Sequence, residues 1–507
     1  MPRRLLPVLA LLALPLALAG LRPAAAADPA GAAPRLEPVA CWFSDTGKPA
    51  ARCYRFHVPE NRARPVGRRT VTLPVVVLPA GDDRRADDPL VYIEGGPGAA
   101  TGLDGDGIER WRKDLAANRV AAGRDLVLFD QRGTGEAEPV LDCPELMAAT
   151  AAIYARPGDP AAARGAYQAG AERCRDRLQA AGIDLSAYDS AATAADLADL
   201  RVALDIKSWN LWAVSYGTRV ALDVLRDHPE GVRSAILDSV FPPEAPSFLD
   251  YGKVVERLIG KLAADCARQP GCKALAPDLA ATVAGLRASL DRRPLEVPVA
   301  DQDDRRRVFL LDGDRLVETL LNEFYDWEAI SGLPLLLSQA ARGRTDGLEA
   351  AAADYFESLL DPDLADGMAI SVECREEYPF ERGAPLEAAM RAWPRYADLW
   401  AEDEILAACP VWGAGEAGAI ESRPVGSDVP VLVLSGDYDP ATPPDWAEAT
   451  VRHLAHGHLV RFPGIGHGVI ASDSCADKVV AAFLADPRAE PRAACLADLP
   501  GPLFKTR

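Results

Sequence analysis

Basic residues are few in this chain compared with acidic ones. It has 55 lysines and arginines against 75 aspartates and glutamates, which gives a formal charge of −20 at pH 7. Because this excess of carboxylates leaves no extended basic face for a phosphate backbone, we expect no nucleic-acid partner. With 49% hydrophobic and 26% charged residues, the composition is that of a folded globular protein rather than a disordered one.

The cysteines lack the C-x-x-C spacing of zinc and redox sites, so the sequence predicts no metal site. Ten cysteines, falling in neighbouring pairs, are typical of structural disulfides formed in an oxidising compartment. Sequential pairing is the simplest arrangement, although spacing alone leaves the connectivity open. It would join Cys41 with Cys53, Cys143 with Cys174, Cys266 with Cys272, Cys374 with Cys409, and Cys475 with Cys495.

Beyond the N-terminus, the sequence has no apolar run long enough to cross a bilayer, so we expect no stable membrane insertion. Residues 1–27 are typical of a signal peptide, because Arg3 and Arg4 precede an apolar stretch at 5–21 and alanines at 24–27 supply a cleavage site. A membrane anchor is the alternative, but the stretch is short, broken by prolines and followed by that cleavage site. The sequence therefore predicts an exported protein, either periplasmic or secreted.

The apolar pattern changes twice along the chain. Up to about residue 245, short apolar strands alternate with helices, which indicates an α/β protein with a mostly parallel sheet. Residues 246–425 keep helical spacing, and strands then return at 431–434 and 459–462. At 507 residues the chain is too long for one ordinary core. We predict an α/β core from 28–245 and 426–507, with a large, mainly helical cap at 246–425.

Ser215 stands where an apolar strand runs directly into a helix, within the segment 211–218. This is the arrangement of a nucleophile elbow, G-x-S-x-G, with Ala213 in place of the first glycine. Such a turn lifts the serine hydroxyl above the edge of the sheet and directs the next backbone N–H, that of Tyr216, to the same place. Ser215 is therefore the candidate nucleophile.

A serine nucleophile needs a base and a carboxylate that orients the base. Asp439 follows the strand at 431–434 and His467 follows the strand at 459–462, so both lie where open α/β sheets place their sites. Asp437 competes with Asp439, which we favour because it lies further into its loop. Glycines on both sides of His467 allow a tight loop that projects the ring, which none of the other histidines has. The order Ser, Asp, His is that of the α/β hydrolases.

The loop 95–98, Gly-Gly-Pro-Gly, follows the first clear parallel strand and can direct backbone N–H groups towards a developing oxyanion. We predict an oxyanion hole formed by the N–H groups of Gly96 and Tyr216. A dinucleotide-binding loop is the alternative for these glycines, but their spacing does not fit G-x-G-x-x-G.

These segments, together with the string D-Q-R-G-T-G at 130–135, resemble the prolyl and tripeptidyl aminopeptidase family of α/β hydrolases. The resemblance is closest to the exported, cysteine-containing, tripeptidyl-aminopeptidase-like branch and covers nearly all of the chain after the signal peptide, including the segment from about 428. It implies an α/β-hydrolase core under a cap and an aminopeptidase that releases short peptides or single residues through an acyl-enzyme, without a cofactor. Glu94, where a histidine often precedes G-G-P-G, and Ala213 depart from the family pattern.

An aminopeptidase must recognise the free ammonium of its peptide substrate, and carboxylates are the physical means. Glu376 and Glu377 lie in a C-R-E-E string that is similar to an acidic stretch of that branch, and Glu94 lies beside the oxyanion loop, so these three are the candidates. In a chain this acidic, a pair of glutamates also commonly belongs to a solvated face.

We expect the protein to be a monomer.

Two other functions remain open on the sequence. An esterase acting on small acyl esters would use the same triad, and a catalytically silent binding module would keep the fold without turnover. The serine at the elbow, where an epoxide hydrolase or dehalogenase has aspartate, disfavours those two classes.

Overall fold

The computed structural model describes residues 33–507, apart from 65–68, 82–84, 118–119, 121–122, 301–305 and 500. The signal peptide predicted at 1–27 lies outside the described residues. The strands are β1 (Arg35–Val39), β2 (Arg52–Pro59), β3 (Thr70–Leu78), β4 (Leu90–Ile93), β5 (Leu126–Phe129), β6 (Trp209–Val214), β7 (Val232–Asp238), β8 (Leu295–Ala300), β9 (Arg306–Leu311), β10 (Val431–Gly436) and β11 (Gly457–Phe462).

The helices of the first part are α1 (Gly105–Ala117), α2 (Pro144–Tyr154), α3 (Pro160–Ala180), α4 (Ser190–Ala203) and α5 (Tyr216–Asp227). Those between the two halves of the sheet are α6 (Ser247–Arg268), α7 (Pro270–Leu275), α8 (Leu279–Arg292), α9 (Gly313–Glu323), α10 (Trp327–Ala340), α11 (Asp346–Ser358), α12 (Asp366–Glu376), α13 (Tyr378–Glu381), α14 (Ala384–Ala392), α15 (Ala397–Glu402) and α16 (Glu404–Trp412). The C-terminal helices are α17 (Pro444–Val451), α18 (Val469–Ser472) and α19 (Ser474–Ala485).

One sheet of nine strands, in the order β1-β2-β3-β5-β4-β6-β7-β10-β11, forms the centre of the molecule. From β5 to β11 neighbouring strands are parallel, whereas β1, β2 and β3 add an antiparallel edge. Strands β4, β5 and β10 are buried along their whole length, as expected for apolar strands covered by helices on both faces. The predicted α/β fold with a mostly parallel sheet is confirmed, and the antiparallel edge is an addition that the sequence analysis did not predict.

The chain leaves the sheet after β7 and returns at β10, and the segment between them forms the cap. It is mainly helical, as predicted, and also contains the two-stranded β8–β9 hairpin. Helix α2 also joins the cap, because the Tyr154 ring stacks on Phe309 of β9 at a centroid distance of 5.6 Å. The cap therefore draws on residues that the sequence analysis assigned to the core.

All ten cysteines form disulfides, in the sequential pairs that the simplest arrangement predicts. The bonds join Cys41 with Cys53, Cys143 with Cys174, Cys266 with Cys272, Cys374 with Cys409, and Cys475 with Cys495. The two cysteines of a bond are between 6 and 35 residues apart. These cysteines therefore serve as structural links and take no part in the chemistry of the site.

Within the described ranges, no helix has both the length and the apolar character needed to cross a membrane.

Candidate active site

Ser215 occupies the turn between β6 and α5, with φ 54° and ψ −128°. A positive φ is rare for a residue with a Cβ and is typical of strained active-site turns. Gly217 makes the turn possible, since a Cβ at that position would lie 2.2 Å from the carbonyl oxygen of Ile93. Ala213 is fully buried in the strand, so the small residue in place of the first elbow glycine fits without disturbing the turn.

The structure brings His467 and Asp439 together. The Nδ1 atom of His467 lies 3.0 Å from Oδ1 and 2.9 Å from Oδ2 of Asp439. Asp439 is completely buried and also accepts hydrogen bonds from the backbone N–H groups of Ala441 and Thr442, at 2.9 and 2.7 Å. The carboxylate is therefore fixed in one orientation before it meets the imidazole.

Asp437, the competing carboxylate, has other partners. It forms ion pairs with Arg461, at a closest distance of 2.6 Å, and with Lys261, at 3.7 Å. The geometry therefore favours Asp439 over Asp437 as the partner of His467.

The pKa of His467 is raised above its usual value. Burial acts in the opposite direction, but the negative charges of Asp439 and Asp238 and the hydrogen bond that His467 donates to Asp439 outweigh it. Such an environment stabilises the imidazolium that forms when the ring takes a proton. The Ser215 hydroxyl makes no hydrogen bond to His467 in this structure, and catalytic hydrogen bonds are often long until substrate binds.

Asp238, at the end of β7, holds the loop that carries the imidazole. Its two carboxylate oxygens accept hydrogen bonds from the N–H groups of Val469 and Ile470, at 2.8 and 2.9 Å. The hydroxyl of the next residue, Ser239, accepts the N–H of Gly468 at 2.9 Å. Three consecutive N–H groups after the histidine are thus fixed by two adjacent side chains.

The same strand end also holds the nucleophile, because the N–H of Ser215 donates to the carbonyl of Asp238 at 3.0 Å. Asp238 is buried, and burial raises its pKa to about 6 despite those two backbone hydrogen bonds. The sequence analysis did not select Asp238 or Ser239. Their position directly after a buried strand next to the elbow strand was the available signal.

The oxyanion loop lies against the nucleophile, since a Cβ on Gly95 would stand 2.9 Å from the Cβ of Ser215. Gly96 has φ 103°, a conformation that favours glycine. Within the described part of the chain, the N–H groups of Gly96 and Tyr216 donate no hydrogen bond, so both are available to a ligand oxygen. The structure therefore pairs His467 with Asp439, places the oxyanion loop against Ser215, and joins the elbow and the histidine loop through Asp238.

Glu94 supports the oxyanion loop rather than facing open space. Its carboxylate accepts hydrogen bonds from the N–H of Gly95 at 2.7 Å and from the hydroxyl of Tyr92 at 3.2 Å. The backbone carbonyl of Glu94 accepts a further bond from the side chain of Gln131 at 2.8 Å.

The two other carboxylates expected to bind an ammonium already have a cation. Glu376 and Glu377 are 1% and 3% exposed, and both contact the guanidinium of Arg219 on α5. Glu376 also accepts the hydroxyl and the N–H of Ser190, at 2.6 and 2.7 Å. The pair is neither on a solvated face nor free to receive a substrate cation, so its geometry favours a structural role between cap and core.

A cavity of about 560 Å³ lies within the cap, and we call it the acidic chamber. Its volume is within the range of about 300–1,000 Å³ that is usual for ligand sites. It is lined mainly by aromatic and acidic side chains from seven helices. The lining residues are Thr150, Tyr154, Tyr167, Ser247, Phe248, Tyr251, Glu318, Leu321, Asn322, Tyr325, Tyr355, Ser358, Leu359, Leu399, Trp400, Glu402, Asp403 and Glu404.

The acidic chamber reaches the catalytic histidine through Tyr325. The ring of Tyr325 lies 5.0 Å from the ring of His467, edge to face, and its carbonyl accepts the N–H of His467 at 3.3 Å. From Tyr325 the lining continues back along α9 to Glu318. The chamber is thus a space beside the catalytic base, with carboxylates at its far end.

The four chamber carboxylates carry raised pKa values. Burial raises the pKa of Glu318 to about 8, of Glu402 to about 7 and of Asp403 to about 6. Burial and the nearby carboxylates of Asp366 and Asp403 raise the pKa of Glu404 to about 8. Acids of this kind in a cavity beside a catalytic group are candidates for binding a cation, which would stabilise their charged form.

The family of the alpha/beta hydrolase fold matches residues 88–473 of this chain. The chain belongs to the α/β-hydrolase family. Three relatives match most of its length. It is 27% identical to the serine protease Hip1 of Mycobacterium tuberculosis over 461 residues, which cover 86% of this chain and 85% of that protein. It is 25% identical to the tripeptidyl aminopeptidase of Streptomyces lividans over 471 residues, covering 87% and 82%.

The third relative has a different activity in its name. The chain is 28% identical to carboxylesterase B of Mycobacterium tuberculosis over 518 residues, covering 94% of this chain and 93% of that protein. This α/β hydrolase is a serine hydrolase, which excludes the silent binding module that the sequence left open.

Proposed function

We propose that this serine hydrolase is an exported aminopeptidase, which releases short peptides from free N-termini through an acyl-enzyme. The acidic chamber beside His467 carries this proposal, because a peptide that extends from the nucleophile into the chamber would bring its terminal ammonium to carboxylates. A serine protease and a tripeptidyl aminopeptidase among the relatives support the reaction class. Five disulfides support export.

In this mechanism Ser215 attacks the scissile carbonyl while His467 takes its proton, and Asp439 orients and stabilises the imidazolium. The N–H groups of Gly96 and Tyr216 hold the oxyanion. His467 then gives the proton to the leaving amine, and a water molecule that it activates hydrolyses the acyl-enzyme. The released fragment is the one that occupies the chamber.

The dimensions of α9 suggest the length of that fragment. Glu318 precedes Tyr325, which lies two residues beyond the end of α9, by seven residues, and a helical rise over that segment is about 10 Å. An extended peptide spans about 3.3–3.6 Å per residue, so about three residues fit between the catalytic histidine and the chamber carboxylates. This length agrees with the name of the Streptomyces relative.

We assign the ammonium to the acidic chamber rather than to Glu94, Glu376 and Glu377, because those three already have hydrogen-bond or ion-pair partners. The side chain of Glu402, whose charge acts on Glu318, has neither kind of partner among the described residues, and such a carboxylate gains most from a cation.

The test compares a tripeptidyl p-nitroanilide that has a free amine with its N-acetylated twin. We expect the acetylated substrate to lose at least about tenfold in kcat/KM, the usual worth of a charge-assisted hydrogen bond. In the variants, E402Q should raise KM for the free-amine substrate, whereas E376Q should lower the melting temperature and leave KM unchanged. Equal cleavage of the two substrates would exclude an aminopeptidase.

An esterase with the same triad is the second candidate, and the relative named carboxylesterase B favours it. It would prefer a simple acyl ester such as p-nitrophenyl acetate to either peptide. Its turnover of such an ester would also be unaffected by E402Q.

A further inference from the structure

We propose that the acidic chamber binds two cationic groups of one substrate, the terminal ammonium and the side chain of a lysine or arginine within the released peptide. The inference rests on the proposed aminopeptidase function and names its substrate class. It is carried by the number, arrangement and surroundings of the carboxylates in the chamber.

The chamber contains more carboxylates than one ammonium can satisfy. Four line it. Arg315 acts on Glu318 and Glu402, and Arg164 acts on Asp403, but among the described residues neither arginine forms an ion pair with a chamber carboxylate. The guanidinium of Arg315 donates to the backbone carbonyls of Ile153 and Arg156, at 3.0 and 2.7 Å, as well as to others nearby. An ammonium has three hydrogen-bond donors, which two carboxylates satisfy. The other two chamber carboxylates are then left without a cation.

The charges that act on these carboxylates divide them into two groups. Glu318 on α9 accepts the hydroxyl of Tyr154 at 3.2 Å, and Glu402 at the end of α15 is the acidic group that acts on it most strongly. Asp403 and Glu404 form the second group at the start of α16. One oxygen of Asp403 caps that helix by accepting the N–H of Leu406 at 2.8 Å.

Glu404 is the observation that points to a ligand independently of the cluster. Its side chain has neither a hydrogen bond nor an ion pair among the described residues, and the charged groups that act on it are two further carboxylates, Asp366 and Asp403. A substrate cation at this position would relieve a repulsion that no group of the described chain offsets.

The rest of the lining suits a long cationic side chain. Tyr167, Tyr251, Tyr355 and Trp400 supply aromatic surface in the same cavity. Aromatic rings attract ammonium and guanidinium groups through their faces and also cover the methylene stem of lysine or arginine. An apolar side chain would instead be placed against the chamber carboxylates, which disfavours its binding there.

The experiment uses free-amine tripeptidyl p-nitroanilides with alanine at two positions and lysine, norleucine or glutamate at the third. Norleucine has the stem of lysine without its charge. At one or more of the three positions, we expect lysine to improve kcat/KM over norleucine by about 10- to 100-fold, and glutamate to reduce it. These measurements need only the wild-type enzyme.

Two variants locate the effect. E404Q should remove most of the lysine advantage, while E416Q, which neutralises an exposed cap carboxylate paired with Arg382, should retain it. Equal rates for lysine and norleucine at all three positions would overturn the inference, and so would a lysine preference that survives both E404Q and E318Q. If the acetylated twin is cleaved equally well, the aminopeptidase proposal itself fails. If a free amine is required but lysine has no advantage, only the second cation fails.

Discussion

Asp439 and Glu404 are both acids inside the fold, but their surroundings are opposite. Asp439 receives two backbone N–H groups, the hydroxyl of Thr442 and the imidazole of His467. The charged groups that act on Glu404 are further carboxylates, which together with burial raise its pKa to about 8. The hydrogen-bond partners of Asp439 are all in place before substrate binds. Glu404 instead lacks a cation, which a ligand can supply.

This difference separates two tasks. Catalysis needs groups that are already oriented, because reorganisation during the reaction would cost rate. Recognition of a charged substrate can instead use carboxylates that repel one another while no ligand is bound. A bound cation removes that repulsion, and this favours binding. Changes at the triad should therefore act on kcat and changes in the chamber on KM.

The largest effect should come from the triad. Ser215→Ala should lower kcat by about 10⁶-fold and Asp439→Asn by about 10⁴-fold, since the second keeps the nucleophile but leaves the imidazole in the wrong tautomer. Steady-state kinetics on the free-amine substrate measure both, and circular dichroism checks that the fold is intact. Wild-type turnover by Ser215→Ala would show that another residue is the nucleophile.

A smaller effect should come from Asp238, which positions the histidine loop. Asp238→Asn places an amide where two N–H groups need acceptors, so one hydrogen bond is lost and kcat should fall by about 10- to 100-fold. It also removes a charge that raises the pKa of His467. Because the base acts when neutral, the acid limb of kcat/KM should move to lower pH.

Ser239→Ala is the matched control for that change. It removes the acceptor for the N–H of Gly468 but no charge, so kcat should fall while the acid limb stays in place. If the two variants shift the limb equally, the carboxylate of Asp238 does not act on the imidazole.

The smallest effect is the pH dependence of KM. The chamber acids, with pKa values of about 6 to 8, are neutral at low pH and become charged as the pH rises through that range. KM for a free-amine substrate should therefore fall by about tenfold between pH 6 and 8, and rise again once the terminal amine, with a pKa near 8, loses its charge. KM for the acetylated twin should show neither trend. If KM for the free-amine substrate does not change with pH, the chamber takes no part in binding.

Much of the catalytic half could be predicted from the sequence because it depends on local patterns. A strand that runs into a helix at Ser215, and loops that follow strands at Asp439 and His467, are each visible within a short segment. The fold class and the cysteine pairs follow from equally local spacing. Relatives and family agree with the enzyme class that these patterns indicate.

The cap could not be predicted in the same way, because its contacts join distant residues. Glu376 and Glu377 look free in the sequence, but Arg219, far earlier in the chain, pairs with both. Glu318 and Glu404 have no motif, and they face one cavity only because α9 and α16 are packed there. Asp238 was missed for a related reason, since its hydrogen-bond partners come 231 and 232 residues later.

The five disulfides have a consequence for the order of folding. Each bond spans between 6 and 35 residues and joins a cysteine to the next one along the chain. If the chain is exported as proposed and enters an oxidising compartment from its N-terminus, the next cysteine to arrive is therefore always the correct partner of the one still unpaired. Oxidation can keep pace with the arrival of the chain, and correct pairing requires neither the completed sheet nor the exchange of wrong bonds.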